Sequence, residues 1–330
     1  MNQKKDGWLK IWYETPHHPL SLLLLPLSWL FRGVARLRRQ AYSNGLLRSH
    51  KLVVPVIIVG NISVGGTGKT PLVIWLAKFL QDQGFKPGII SRGYGGQSQE
   101  WPQQVHADSD VMQVGDEPVV IVRQTGVPLY VSPDRFEAGS RLLAEQDCDI
   151  LISDDGLQHY SLQRDFEICV IDSQRRHGNG RCLPAGPLRE PTCRLNSVDA
   201  IVCNGGEFEG EFSMYFHAVN ILQVSGNESR SINDFQNETV HAIAGIGNPD
   251  RFFESLRMQG LKLIEHAFPD HYVYQAADLT FNDNKPVIMT EKDAVKCLTF
   301  SNLNLWYVSI EAQLPKIFEQ RLQHMLKDHN

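Results

Sequence analysis

The chain contains no Cys-x-x-Cys pair: its six cysteines (Cys148, Cys169, Cys182, Cys193, Cys203 and Cys297) are scattered, and no histidine stands at zinc-ligand spacing from them. A structural zinc module is thereby excluded, and the thiols read as reduced and mostly buried, as in a cytosolic protein. The strongly apolar run at residues 19–31 falls short of the ~20 residues that a membrane-spanning helix needs. No small-residue cleavage site follows it, since Phe31-Arg32-Gly33-Val34 occupies the place, so it does not read as a secretory signal. Basic residues are not interleaved with aromatics on a common face, and no nucleic-acid-binding module is implied. Internal repeats and low-complexity tracts are missing too.

Charge is present but unevenly placed. Residues 1–50 hold eight Lys/Arg (Lys4, Lys5, Lys10, Arg32, Arg36, Arg38, Arg39, Arg48) against Asp6 and Glu14, a net +6, which leaves −11 on the other 280 residues. Such asymmetry sets the N-terminus against an anionic surface. Leu23, Leu27, Leu30, Val34 and Leu37 share one helical face, Arg32, Arg36 and Arg39 the opposite one, and Trp8, Trp12, Tyr13 and Trp29 add aromatics suited to headgroup depth. The spacing predicts an amphipathic segment over residues 1–40 that lies on a membrane without crossing it. A helix covering the protein's own core is the competing reading.

The richest signal is a buried apolar strand, Val56-Ile57-Ile58-Val59, that runs into a glycine-rich loop ending in Gly68-Lys69-Thr70 and opening a helix. Backbone N–H groups of residues 63–70 (Ser63, Val64, Gly65, Gly66, Thr67, Gly68, Lys69, Thr70) can curl around phosphate oxygens. Lys69 can reach the β/γ-phosphates, and the Thr70 hydroxyl can hold Mg²⁺. One departure stands out, because Ser63 occupies the position where the phosphate-loop pattern expects its first glycine. Leu72, Val73, Leu76, Phe79 and Leu80, closed by Gly84, mark the helix that follows, and Pro71 in its first turn costs no hydrogen bond.

Beyond the loop, strand-like stretches at 88–91, 128–131, 149–153, 166–172 and 198–203 alternate with helical ones such as 134–146. This predicts a phosphate-loop NTPase-like parallel sheet with helices on both faces over 41–212. Gly-, Pro- and Arg-rich segments at 91–96, 114–118 and 175–191 then fall at the C-terminal edge of the sheet, where ligands of such folds bind. Two β-like runs within 214–224 and a polar stretch read as a β-ribbon linker over 213–239. A smaller α/β unit over 240–330 follows, with a strand at 240–244, a tight turn at Gly245-Ile246-Gly247, a helix at 250–259 and a closing helix at 314–326.

Ile150-Leu151-Ile152-Ser153-Asp154-Asp155 delivers two carboxylates at a strand end, the setting that holds Mg²⁺ in phosphate-loop enzymes. A base for an acceptor hydroxyl is also needed, and spacing does not choose among Asp116, Glu117, Asp154, Asp155 and Asp172. His271, in a Pro-bounded turn of the second unit, could orient such a base, though a capping role suits it as well. Arg92, Arg135 and Arg189 lie in or beside loops where they could grip phosphate.

Taken together, these segments resemble the tetraacyldisaccharide 4′-kinase family, across nearly the whole chain. The carriers are residues 60–71, Ser91-Arg92-Gly93-Tyr94-Gly95, Val114-Gly115-Asp116-Glu117-Pro118, Asp154-Asp155-Gly156-Leu157-Gln158-His159, Gly178-Asn179-Gly180, residues 184–191, residues 245–253, residues 268–272 and Thr290-Glu291-Lys292-Asp293-Ala294-Val295. The resemblance implies ATP- and Mg²⁺-dependent phosphorylation of the 4′-hydroxyl of a tetraacyldisaccharide 1-phosphate in lipid A biosynthesis. It also implies work at the cytoplasmic face of the bacterial inner membrane, as a peripheral or monotopic protein on anionic lipid, with no protein partner. A hydroxyl residue at Ser63 is usual in that family. By the same resemblance Asp116 is the base and His271 its partner, with Lys69 at the phosphates and Thr70, Asp154 and Asp155 serving Mg²⁺. Arg92, Arg135, His159, Arg189 and Glu190 are then expected at the reaction centre or substrate.

The rival is a membrane-associated ATPase switch of the partitioning type, whose signature lysine would fall at Val64. A guanine-specific switch would want a lysine one place earlier than Lys292 in Thr290-Glu291-Lys292-Asp293.

Overall fold

A computed structural model of the chain describes residues 7–8, 10–226, 228–236, 238–300 and 304–328. Lys4, Lys5 and Asp6 of the N-terminal charge tally lie outside the described residues. Thirteen strands form one sheet among those residues: Val56–Gly60 (β1), Pro87–Ser91 (β2), Gln103–Val105 (β3), Leu129–Val131 (β4), Ile150–Asp154 (β5), Phe166–Asp172 (β6), Ala200–Asn204 (β7), Phe212–Gln223 (β8), Ser229–Arg230 (β9), Thr239–Ala244 (β10), Lys262–Ala267 (β11), Val287–Thr290 (β12) and Leu305–Gln313 (β13).

The order across the sheet is β11-β10-β12-β13-β8-β7-β6-β1-β5-β2-β4-β3, with β9 on β8. Its central strands β1, β5 and β6 are buried at every position and pair in parallel. That is why they read as unbroken apolar runs: helices cover both faces, and neither face has a reason to be polar. Leu72, Leu76 and Leu80 of the Lys69–Asp82 helix and Val119–Ile121 of the Asp116–Thr125 helix pack on one face, Ala138 and Leu142 of the Arg135–Glu145 helix on the other.

The two β-like runs of residues 214–224 form one strand. Residues 212–214 of β8 pair in parallel with β7, and residues 215–223 pair antiparallel with β13, so the sheet continues without interruption into its second half. The closing helix, Lys316–Asp328, returns to the first half: Phe318 and Leu322 join the core around Leu72–Leu80, and the Phe318 ring lies 5.0 Å from Phe212 and 5.7 Å from Trp75.

The N-terminal helices Pro19–Leu23 and Leu25–Ser43 dock by their polar side. Ser21 and Ser28 are buried and donate to the carbonyls of Ala185 and Cys182, and Arg39 donates to the Ser197 hydroxyl at 2.7 Å. Leu23, Leu27, Leu30, Val34 and Leu37 face outward, Leu23 with 75% of its surface exposed. The competing reading, a helix covering its own core, does not account for that stripe, because its members join none of the four buried clusters. No helix among the described residues is long and apolar enough to cross a membrane. The cysteines are free, and Cys169, Cys182, Cys203 and Cys297 are buried.

Candidate active site

The phosphate loop keeps its shape by glycines at two left-handed positions and by a brace from residues 182–190. Gly65 and Gly68 have φ of 101° and 94°, which L side chains adopt only at a cost. Behind Gly68 stands Asn204, whose Nδ2 donates to the Thr67 carbonyl at 3.1 Å; an added Cβ at Gly68 would meet that Nδ2 at 2.5 Å. Ser63 instead pairs with Leu188 in a β-bridge, a conformation that needs no glycine, and this accounts for the departure from the pattern. The Val64 N–H donates to Pro187 O at 2.9 Å and so is already engaged, while Asn61 Nδ2 donates to the Thr67 hydroxyl at 3.2 Å. A Gly68→Ala variant combines a forced φ with that clash, each about 1–2 kcal/mol, so ATP affinity should fall at least about tenfold by calorimetry.

At the end of β5 the two aspartates are treated differently by their surroundings. Asp155 sits at φ 48°, and Arg189 Nη1 donates to both its oxygens at 3.1 Å while Lys69 Nζ lies 3.5 Å away. Burial works to raise its pKa, but Lys69 and Arg189 outweigh it and hold the carboxyl down at about 2. Asp154 is fully buried and accepts from the Ser91 hydroxyl at 3.0 Å, with its Oδ1 left without a partner. Burial, aided by the charges of Glu117 and Asp155, pushes its pKa well up. An orphaned carboxylate oxygen in that state fits a divalent cation, whose charge would reverse the shift. Mg²⁺ takes one or two carboxylates and fills its octahedron with phosphate and water, so the site needs no larger cage.

Asp116 opens the Asp116–Thr125 helix, where the macrodipole favours an anion. Gly115 before it has φ 90°, and a Cβ there would meet Tyr94 O at 2.6 Å, so the entry to the helix requires glycine. From the second half of the sheet His271, itself at φ 60°, brings Nδ1 to 3.0 Å from Asp116 Oδ2. Burial would raise the Asp116 pKa, but the His271 hydrogen bond and Lys292 lower it below the ordinary value; that same hydrogen bond raises His271 against its burial. A left-handed non-glycine residue is worth inspecting in any structure. Of the three such residues at this edge among the described residues, Asp155 and His271 are candidates from the sequence, and the third, Arg176, is paired with Glu211.

The remaining candidates divide into those at the surface and those within. Arg92 is exposed. Arg135 is buried, reaches the Asp155 carbonyl at 3.5 Å, and is pushed down to about 10 by burial. His159 accepts from the Arg135 N–H at 3.4 Å, lies 3.0 Å from the Ser161 hydroxyl, and is held near 4 by burial and by Arg135, so it is neutral. Glu190 is committed to a buried network: it accepts from Gln158 Nε2 at 2.9 Å and from Tyr160, and Arg194 lies 3.8 Å away.

Several residues at this edge escaped sequence reasoning. Lys292 and Lys296 reach the neighbourhood of Asp116 from the second half, Lys296 to 3.9 Å. Arg251 holds Asp172 at 3.2 Å and Asn204 at 3.0 Å, and Arg175 donates to Gly247 O at 2.9 Å. The signal for Lys292 lay in Thr290-Glu291-Lys292-Asp293, which carries the family resemblance and misses the guanine motif by one place, but neither reading assigned the lysine a role.

The family described as Tetraacyldisaccharide-1-P 4'-kinase (LpxK) matches residues 20–327. A protein from Nitrosococcus oceani named tetraacyldisaccharide 4'-kinase is 51% identical over 319 residues, covering 97% of this chain and 94% of its own. One of the same name from Methylobacillus flagellatus is 49% identical over 326 residues, covering 98% and 96%. Among solved structures, LpxK from Aquifex aeolicus, described as an "apo" form in complex with ATP, superposes with a TM-score of 0.79 at 30% identity, over 93% of this chain and 99% of that one.

Proposed function

Because this chain belongs to the tetraacyldisaccharide-1-P 4'-kinase family, we propose that it transfers the γ-phosphoryl group of ATP to the 4′-hydroxyl of a tetraacyldisaccharide 1-phosphate, a lipid A precursor. The observation that carries the reading is the 3.0 Å Asp116–His271 contact on the sheet edge that also bears Lys69 and the phosphate loop.

Asp116 takes the proton as the 4′-oxygen bonds to the γ-phosphorus and the bond to ADP breaks. With the Asp116 pKa lowered and that of His271 raised, the proton comes to rest on His271. Lys69 and Arg189, both paired with Asp155, face the charge of the transferring group. Thr70 and the free Oδ1 of Asp154 are the groups that would hold Mg²⁺, and Asp155 supports them through its two cations. When bound, the ion neutralises β- and γ-phosphate oxygens. Arg92 is exposed to meet the acceptor headgroup, while Arg135, His159 and Glu190 build the wall behind it.

The half of the sheet from β10 to β13 closes over the kinase unit to deliver His271, with β8 as its connection, while the Lys316–Asp328 helix stays in the core of the kinase unit. The outward leucine stripe, the exposed Trp8 and Trp29, and exposed Arg32 and Arg36 rest on anionic lipid at the cytoplasmic face of the inner membrane, where a four-chain substrate resides. Trp12 and Tyr13, expected at headgroup depth, instead donate to the Pro184 and Val64 carbonyls beside the phosphate loop.

The test is incubation of purified protein with γ-labelled ATP, Mg²⁺ and detergent-dispersed tetraacyldisaccharide 1-phosphate. Label on the lipid, with near silence when lipid is omitted, is the expected result. Phosphate released to water with none on lipid would overturn the reading in favour of the ATPase switch.

A further inference from the structure

We propose that Lys292 is the positioning residue that assembles the Asp116–His271 pair, by gripping the chain neighbour of each partner. Its Nζ lies 3.0 Å from Glu117 Oε1 and 3.3 Å from Asp270 Oδ1. Glu117 follows Asp116 on one side of the contact, and Asp270 precedes His271 on the other. One ammonium therefore ties two carboxylates that belong to the two halves of the sheet, one residue away from each member of the pair. Without a cation between them, the acids would repel each other as the pair closed.

The lysine is itself held in place. It lies in the short Glu291–Ala294 helix, whose Asp293 is completely buried and accepts from the Gly245 N–H at 2.9 Å, the Thr290 hydroxyl at 2.7 Å and Lys296 Nζ at 2.8 Å. On the other side Glu291 pairs with Gln124 of the Asp116–Thr125 helix. Lys292 thus projects from a rigid mount against the helix that begins with the proposed base. Burial disfavours its charge, yet Glu117, Asp116 and Asp270 more than compensate and raise its pKa, so it stays a cation. The left-handed φ of His271 points the same way, since such a backbone persists only where its surroundings over-determine it.

The charged groups around His271 are Asp116, Asp270 and Lys292, with the Tyr94 ring at 5.5 Å and Lys296 beyond Asp116. This allows a test whose sign separates positioning from mere proximity. The Lys292 charge by itself depresses the His271 pKa. If Lys292 were only a nearby charge, Lys292→Met would leave the pair standing and raise the His271 pKa further. If Lys292 assembles the pair, Lys292→Met releases His271, and its pKa falls toward the ordinary imidazole value of about 6.5.

The experiment is NMR titration of histidine-labelled full-length protein, beside steady-state kinetics with ATP and the detergent-dispersed lipid acceptor. The expected result for Lys292→Met is a downward shift of the His271 titration, with kcat lowered about a hundredfold and KM for ATP within about twofold of wild type. Lys292→Arg, which keeps the cation, should recover most of the His271 shift and part of kcat. Glu117→Gln, which unties one end only, should move both readouts in the Lys292→Met direction by less, and it carries the test if Lys292→Met does not fold. An upward His271 shift, or kcat within about threefold of wild type, would overturn the proposal. The kinetic arm rests on the kinase reading, whereas the titration does not: a wild type that phosphorylates no lipid would sink that reading and leave the role of Lys292 to be decided by NMR.

Discussion

An Asp116→Ala enzyme is expected to move label from ATP to lipid about a thousandfold more slowly than wild type, within the range lost when a positioned general base is removed. KM for ATP should change little, because the Asp116 contacts run to His271, Lys296 and the Glu117 N–H and not to the phosphate loop. Single-turnover measurements with ATP saturating separate the two quantities. A loss under about tenfold would remove Asp116 from the role of base.

The same pair sets the acid limb of the rate profile. Its reactive form is Asp116 ionised and His271 neutral, so that a proton can be accepted. Because the Asp116 hydrogen bond raises the His271 pKa, that form is depleted at a pH above the one at which a free imidazole would charge. In wild type kcat should therefore fall on the acid side at a pH higher than an unperturbed histidine would give. A limb in the ordinary carboxylate range would mean that His271 does not receive the proton.

The second large effect concerns the lipid surface. Leu27 and Leu30 are 54% and 65% exposed, so replacing both with aspartate removes nothing from a buried core and should leave thermal stability close to wild type. What is lost is the apolar area available to enter a bilayer, about 1–1.5 kcal/mol per residue after discounting the half already covered. Each new carboxylate adds repulsion from an anionic leaflet of about 1 kcal/mol. Together these predict on the order of a thousandfold weaker partitioning onto vesicles of phosphatidylethanolamine and phosphatidylglycerol, read by co-sedimentation. Partitioning equal to wild type would refute the membrane role of the stripe.

Much of the site could be read from the chain because its signals are local. A strand buried on both faces must be apolar throughout, a loop that wraps phosphate must be rich in glycine, and a helix must follow to aim N–H groups; β1, residues 61–68 and the Lys69–Asp82 helix satisfy all three in contiguous sequence. The leucine stripe is equally local, a matter of helical period. Even the exception at Ser63 becomes clear once its bridge to Leu188 is seen, a contact across the sequence that no spacing rule encodes.

The chain by itself therefore determined the nucleotide loop, the parallel strands, the carboxylates at the end of β5 and the amphipathic N-terminus, since each depends on backbone preference and periodicity within a few residues. Only the tertiary structure decided that Ser21 and Ser28 dock while the leucines face out, that Arg189 holds Asp155, and that Lys292 lies between Glu117 and Asp270. Spacing left five acids open and the family resemblance pointed to Asp116 with His271, but the contact itself is tertiary: the two stand 155 residues apart and touch because β8 bridges the two halves of one sheet. Such contacts are fixed by the packing of every intervening element, so no local pattern can carry them.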